Sequence, residues 1–196
     1  MQRRPQIGFT VIELMVSLAV AAVLVGLAVP SFRDLIDKSR LRGATDDIVN
    51  MLNTARANAV KQERDIDVSL GGTVTAWCAG ANSAADPTSP GEAVLAATKC
   101  DCTTANVCNV GGLPTVLSST DYSGVSLSAV TAEVTFDKKL GTVATALDPG
   151  SAFTATTFNV ISKTGKYKTT ISVSPLGQTY VCVPSPSPFV AGYPSC

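Results

Sequence analysis

The pattern of apolar and polar positions divides the chain into three stretches. From Phe9 to Val29 apolar residues follow one another, interrupted by Thr10, Glu13 and Ser17. Twenty-one residues of helix rise about 30 Å, the thickness of a bilayer hydrocarbon core. After Pro30 the pattern stays helical but becomes one-sided. Leu41, Ala44, Ile48, Met51, Leu52, Ala55 and Ala59 recur at three- and four-residue spacing, and Arg42, Asp46, Asp47, Asn50, Asn53, Arg56 and Lys61 fill the positions between. Such a stripe predicts an amphipathic helix over residues 31–64 that lies on a sheet. Adjacent residues on a helix diverge by about 100°, so Asp46-Asp47 reads as a solvated face rather than a catalytic carboxylate pair.

Beyond residue 64 the texture changes to β-branched residues, Gly, Ser and Pro. Strands are predicted at Ile66–Leu70, Thr73–Cys78, Val125–Val130, Glu133–Phe136, Thr157–Ser162, Tyr167–Ser174 and Thr179–Val183. Gly71-Gly72 reads as a hairpin turn between the first two, and Lys163-Thr164-Gly165-Lys166 as another. Residues 79–115, rich in Ala, Asn, Pro and Gly, predict a long exposed loop tied down by disulfides. The Pro-rich tail from Pro184 to Pro188 cannot be a central strand. The fold class is therefore α+β, a long N-terminal helix packed on a β-rich head formed by residues 65–196.

A basic start precedes Gly8-Phe9 and the apolar run. An ordinary secretory signal peptide or a single membrane anchor accounts for that much. Two features argue for more. A signal peptide needs a small-residue cleavage site after its apolar core, whereas Leu27-Ala28-Val29-Pro30 leads into further helix. Glu13 also sits inside the run, where a carboxylate costs about 2.5–3.5 kcal/mol at mid-membrane. A cut between Gly8 and Phe9 makes Glu13 the fifth residue, close to a new α-amino group that neutralises it, its own or that of a helix alongside.

These residues, Gly8-Phe9-Thr10-Val11-Ile12-Glu13-Leu14, resemble the class III signal of type IV pilins and type II secretion pseudopilins. The resemblance implies that prepilin peptidase removes residues 1–8 as a leader, cutting after Gly8 and methylating Phe9. It makes Glu13 the assembly glutamate and Pro30 the helix-kinking proline. It implies a pilin fold whose helix spans the membrane over residues 9–30 and is amphipathic over 31–64. Two further regions resemble GspH/FimT-type minor pilins. One is the helix end from Asn53 to Gln62. The other is the closing hairpin, from Thr157 to Val160 and from Ile171 to Cys182. The implied function is a minor pilin or pseudopilin subunit that primes or caps a filament, with other pilins or pseudopilins as partners. The implied location is the bacterial inner membrane, single-pass, with the head in the periplasm or extruded in a pilus. Rival readings within the family are a pseudopilin of type II secretion and a DNA-binding minor pilin of natural transformation.

Charge weighs against the DNA reading. The chain carries 15 Lys+Arg and 15 Asp+Glu, and removal of residues 1–8 takes away Arg3 and Arg4, leaving a side-chain net of about −2. DNA-holding relatives have Gly-Arg in the closing hairpin, where this chain reads Gly177-Gln178-Thr179-Tyr180. Lys163, Lys166 and Lys168 remain as a candidate ligand patch, although lysines on a hairpin more often guard a sheet edge.

Six cysteines (Cys78, Cys100, Cys102, Cys108, Cys182 and Cys196) lie beyond the first third of the chain, which has no histidine. An even count points to disulfides formed outside the cytoplasm. A metal site is disfavoured, because Cys100-x-Cys102 followed by Cys108 lacks paired Cys-x-x-Cys spacing. Six cysteines allow 15 pairings, and spacing does not choose among them. Closing the tail with Cys182–Cys196 would stabilise it by about 3 kcal/mol in the chain-entropy model. No cofactor is implied. The absence of histidine, of a Gly-x-Ser-x-Gly elbow and of a phosphate-binding loop speaks against an enzyme.

Overall fold

The computed structural model describes residues 8–83, 100–104, 108–128, 132–144 and 155–196, without the helical side chains of residues 27–31. The side chain of Pro30, most of the expected loop 79–115 and the end of the expected strand Val125–Val130 thus lie outside what is described. Among the described residues one helix, α1 (Val11–Gln62), precedes ten strands. The chain divides into two compact units, Met1–Ile36 and Asp37–Cys196.

In the first unit, large apolar side chains are exposed all around the helix, from 77% at Val11 to 61% at Val25. Among the described residues no helix is long and apolar enough to cross a membrane. The described apolar part of α1 ends at Gly26, four turns after it begins, and side chains are described again from Phe32.

In the second unit the stripe of α1 lies on the strands as its spacing requires. Leu41, Ala44, Ile48, Leu52, Ala55 and Ala59 are buried. The polar Thr45 also lies on the buried side. It donates to or accepts from Thr169 at 2.8 Å and reaches the Leu41 carbonyl at 2.8 Å, so its hydroxyl is satisfied.

Two antiparallel sheets carry the head. The first comprises β1 (Ile66–Gly72), β2 (Trp77–Ser83), β5 (Val116–Ser118) and β7 (Glu133–Phe136), in the order β5-β2-β1-β7. The second comprises β6 (Ser126–Leu127), β8 (Thr156–Ile161), β9 (Lys168–Val173) and β10 (Thr179–Cys182), in the order β10-β9-β8-β6. A short pair, β3 (Asn109–Val110) and β4 (Leu113–Pro114), forms its own two-stranded sheet beside the end of β2.

The first hairpin differs from its sequence expectation. Gly71 and Gly72 remain in β1, paired with Cys78 and Trp77, and the turn is Thr73–Ala76. Thr73 closes it twice: its N–H donates to the Ala76 carbonyl at 3.0 Å, and its hydroxyl accepts the Ala76 N–H at 3.1 Å. β2 consequently runs from Trp77 through Ser83, entering a stretch expected to be loop. The second expected turn, 163–166, joins β8 to β9, with Ser162 N–H bonded to the Tyr167 carbonyl at 2.9 Å.

Candidate functional site

Gly8, Phe9 and Thr10 precede the helix, and Thr10 caps it. Its hydroxyl accepts the Glu13 N–H at 3.3 Å, and its carbonyl accepts the Leu14 N–H at 3.2 Å. Thr10-x-x-Glu13 has the spacing of a capping box, so Glu13 stands in the first turn, where a carboxylate offsets the positive end of the helix dipole. Phe9 is 81% exposed at the head of this apolar surface.

The six candidate cysteines are all paired, as Cys78–Cys102, Cys100–Cys108 and Cys182–Cys196. The first two bridges close over one face of β1 and β2. Ser69 on that face donates its hydroxyl to the Cys100 carbonyl at 2.5 Å, and a Cβ on Gly80 would stand 2.5 Å from both Cys100 and Cys108 sulfurs. The other face carries Ile66, Val68, Leu70, Trp77, Ala79 and Ala81 into the core. Five consecutive residues of β1 are therefore buried, on both faces of the strand. Among the described residues no cluster of His, Cys, Asp or Glu has the makings of a metal site.

Asp46 and Asp47 are half-exposed, as a solvated face requires, but each also accepts a hydrogen bond that the sequence did not announce. Asp47 accepts the Tyr122 hydroxyl and Asp46 accepts the Tyr193 hydroxyl. Arg42 adds a contact to Asp46 at 3.6 Å. Burial first, then the hydrogen bond to the carboxylate and its charge, raises both phenol pKa values above the ordinary 10.0. Tyr122 stacks on the buried Trp77, ring centroids 6.0 Å apart, so one aspartate fixes the 119–124 turn and the other the C-terminal disulfide loop. The partners lie far along the chain, and no local pattern around the aspartates announces them.

At the helix end Arg56 donates Nε–H to the Gly141 carbonyl at 2.9 Å. Gly177, in the closing hairpin, adopts φ 75° and packs against that same carbonyl, leaving no room for a Cβ. The Gly177 turn is thus occupied by contacts to Arg56 of α1.

The lysine trio is divided. Lys163 and Lys166 stand exposed on the turn, whereas Lys168 opens β9 between the buried Tyr167 and Thr169 and so points to the opposite face of the sheet. Asp37, one turn before Leu41 and 7% exposed, accepts the Lys163 N–H at 3.1 Å and the Thr164 hydroxyl at 2.5 Å. Its place on the apolar stripe, four residues before Leu41, was the signal that marks it as a buried anchor.

A long helix laid on antiparallel sheets, with a capped apolar start bearing one glutamate, defines a pilin-type subunit. Residues 3–29 match the model of the prokaryotic N-terminal methylation motif, and residues 44–177 match that of type II transport protein GspH. The chain belongs to the GspH family. It is a structural subunit of the minor pilin or pseudopilin kind. Among solved structures it is similar to the type IV minor pilin FimU of Pseudomonas aeruginosa strain PAO1, at 18% identity and TM-score 0.46, over 79% of this chain and 95% of that one. No curated protein matches it.

Proposed function

We propose that the chain is a minor subunit that primes or caps a type IV pilus-like filament, with no catalytic activity of its own. Prepilin peptidase removes residues 1–8 and methylates Phe9. Residues 9–30 anchor the mature chain in the inner membrane with residues 65–196 as a periplasmic head. Glu13 pairs with the α-amine of Phe9 in a neighbouring pilin or pseudopilin. The observation that carries the reading is the N-terminal methylation motif over residues 3–29, which contains Gly8, Phe9 and Glu13 in one short stretch. A chain that exposes its apolar side chains all around α1 from Val11 to Val25 needs lipid or neighbouring helices to cover them. The pseudopilin of type II secretion stays the second reading, favoured by the name of the matching family.

Intact-mass measurement of the membrane-extracted chain tests the processing. The expected mature form begins at methylated Phe9, and Gly8→Leu leaves the precursor whole. A mature form starting elsewhere overturns the proposal. Assembly is tested by cross-linking near residue 13 to neighbouring subunits. Glu13→Val is expected to be cut and inserted normally but to cross-link poorly, since the charge pair is lost while the apolar run is improved. Equal yield for both chains would remove Glu13 from the assembly contact.

A further inference from the structure

We propose that the disulfide-closed tail carries a binding site for a neutral saccharide, seated in a hollow between Phe189 and the serines around it. Cys182–Cys196 closes the loop, and two hydrogen bonds fasten its ends. The Val183 N–H donates to the Pro194 carbonyl at 2.8 Å, and the Cys196 N–H donates to the Val183 carbonyl at 3.0 Å. Val190 and Tyr193 are buried and hold the loop on the head. Arg42 closes on Gly192, where a Cβ would stand 3.0 Å from its guanidinium. The Ser187 N–H donates to the Pro184 carbonyl at 2.9 Å and turns the Pro-rich run back on itself. The outer side of the loop keeps a hollow of about 330 Å³, lined by Val183, Ser185, Pro186, Ser187, Phe189 and Ser195.

The lining joins two kinds of group. Phe189 is 72% exposed and offers an aromatic face. Among the described residues the hydroxyls of Ser185, Ser187 and Ser195 have no partner in the protein, and each can donate as well as accept. A pyranose ring satisfies both kinds at once. Its C–H face packs on the negative face of the aromatic ring, and its hydroxyls pair with the serines. Other ligands satisfy only one. No charged side chain lines the hollow, so an ionic ligand finds no counter-charge there. An aliphatic anchor from a protein would cover the ring but leave the serine hydroxyls stripped of water and unpaired. Bases stack on aromatic rings, but their strand brings phosphates for which the lining holds no cation. With its ends fastened before binding, the loop has little ordering to lose when a sugar enters. Cell-wall glycan strands and plain hexose glycans of a surface present this same chemistry.

The test is saturation-transfer NMR on the mature full-length chain in phosphatidylcholine nanodiscs, with empty discs subtracted. The probes are chitotriose, an N-acetylated sugar like the cell-wall strand, and maltotriose, a plain hexose. Transfer is expected to the ring C–H protons of at least one of them. Chitotriose alone points to wall glycan, and maltotriose, with or without chitotriose, to plain hexoses. Phe189→Ala is expected to abolish the transfer. Ser185→Ala combined with Ser187→Ala is expected to weaken affinity about tenfold. Amide protection of β9 and β10 should stay unchanged in both variants, as the control for folding. Silence with both sugars overturns the proposal, as does transfer that survives Phe189→Ala. Stronger transfer to N-acetyl-leucinamide than to either sugar overturns it in favour of a protein partner. Stronger transfer to single-stranded oligothymidine overturns it in favour of nucleic acid.

Discussion

Tyr122 and Tyr193 reach Asp47 and Asp46 from 75 and 147 residues away, and each holds its proton more firmly in the folded chain than an ordinary phenol does. A raised folded pKa means stabilisation that is complete below the unfolded value near 10 and is lost as pH climbs through and beyond it. Thermal unfolding of the parent chain should therefore fall steeply above pH 10. The double variant Tyr122→Phe, Tyr193→Phe should start lower at neutral pH and show a flatter alkaline decline; equal slopes would mean that these phenols are not the groups titrating. Glycines give a second residue-scale comparison. Gly177 and Gly165 both have positive φ, but a Cβ at Gly165 meets open space and one at Gly177 meets the Gly141 carbonyl. Gly165→Ala should cost about 1 kcal/mol from backbone strain alone, and Gly177→Ala about 2–3 kcal/mol, as read by denaturant unfolding.

The disulfide-closed tail behaves as an element although it contains almost no regular structure. Cys182–Cys196 pins its ends, Val183 and Ser195 form a parallel bridge, and Val190 and Tyr193 are buried. Replacing both cysteines with alanine should lower stability by about 3 kcal/mol and free Tyr193 from Asp46, visible as faster exchange at the tail with β1 protection retained. Loss of protection throughout the head would show instead that the tail is part of the central fold. Elements set by periodic burial were legible in the sequence: the α1 stripe, β7 and the paired β8 and β9 all follow it. The register of β2 was not, because Gly71-Gly72 has the composition of a turn while Thr73 and Ala76 make the actual one. The acceptor roles of Asp46 and Asp47 were hidden for a related reason. Their acceptor roles depend on partners that only the tertiary fold supplies, so position on the stripe marks Asp37 alone.

Within the second unit, the sheets and the part of α1 from Asp37 onward carry two chemically unlike regions. The closing hairpin is seated on Arg56 and Gly141, while Lys163 and Lys166 stand on the Asp37-held turn. The full chain should consequently bind duplex DNA weakly and with a shallow salt dependence, since few phosphates can be neutralised at once. A gel shift at near-physiological salt checks this, and tight binding lost on Lys163→Gln with Lys166→Gln would promote the DNA-receptor reading. Under non-reducing conditions the same chain should show no titratable thiol, all six cysteines being paired. Several reactive thiols would contradict the pairing.

The cover that Cys100–Cys108 and Cys78–Cys102 place over β1 has a consequence for how the strand resists proteolysis. The two bridges hold Cys100, Cys102 and Cys108 against the Ser69–Gly71 side of that strand. A head whose bridges are reduced should therefore be cut faster at β1 than the oxidised head in limited proteolysis, and equal cutting would show that the bridges do not guard this strand.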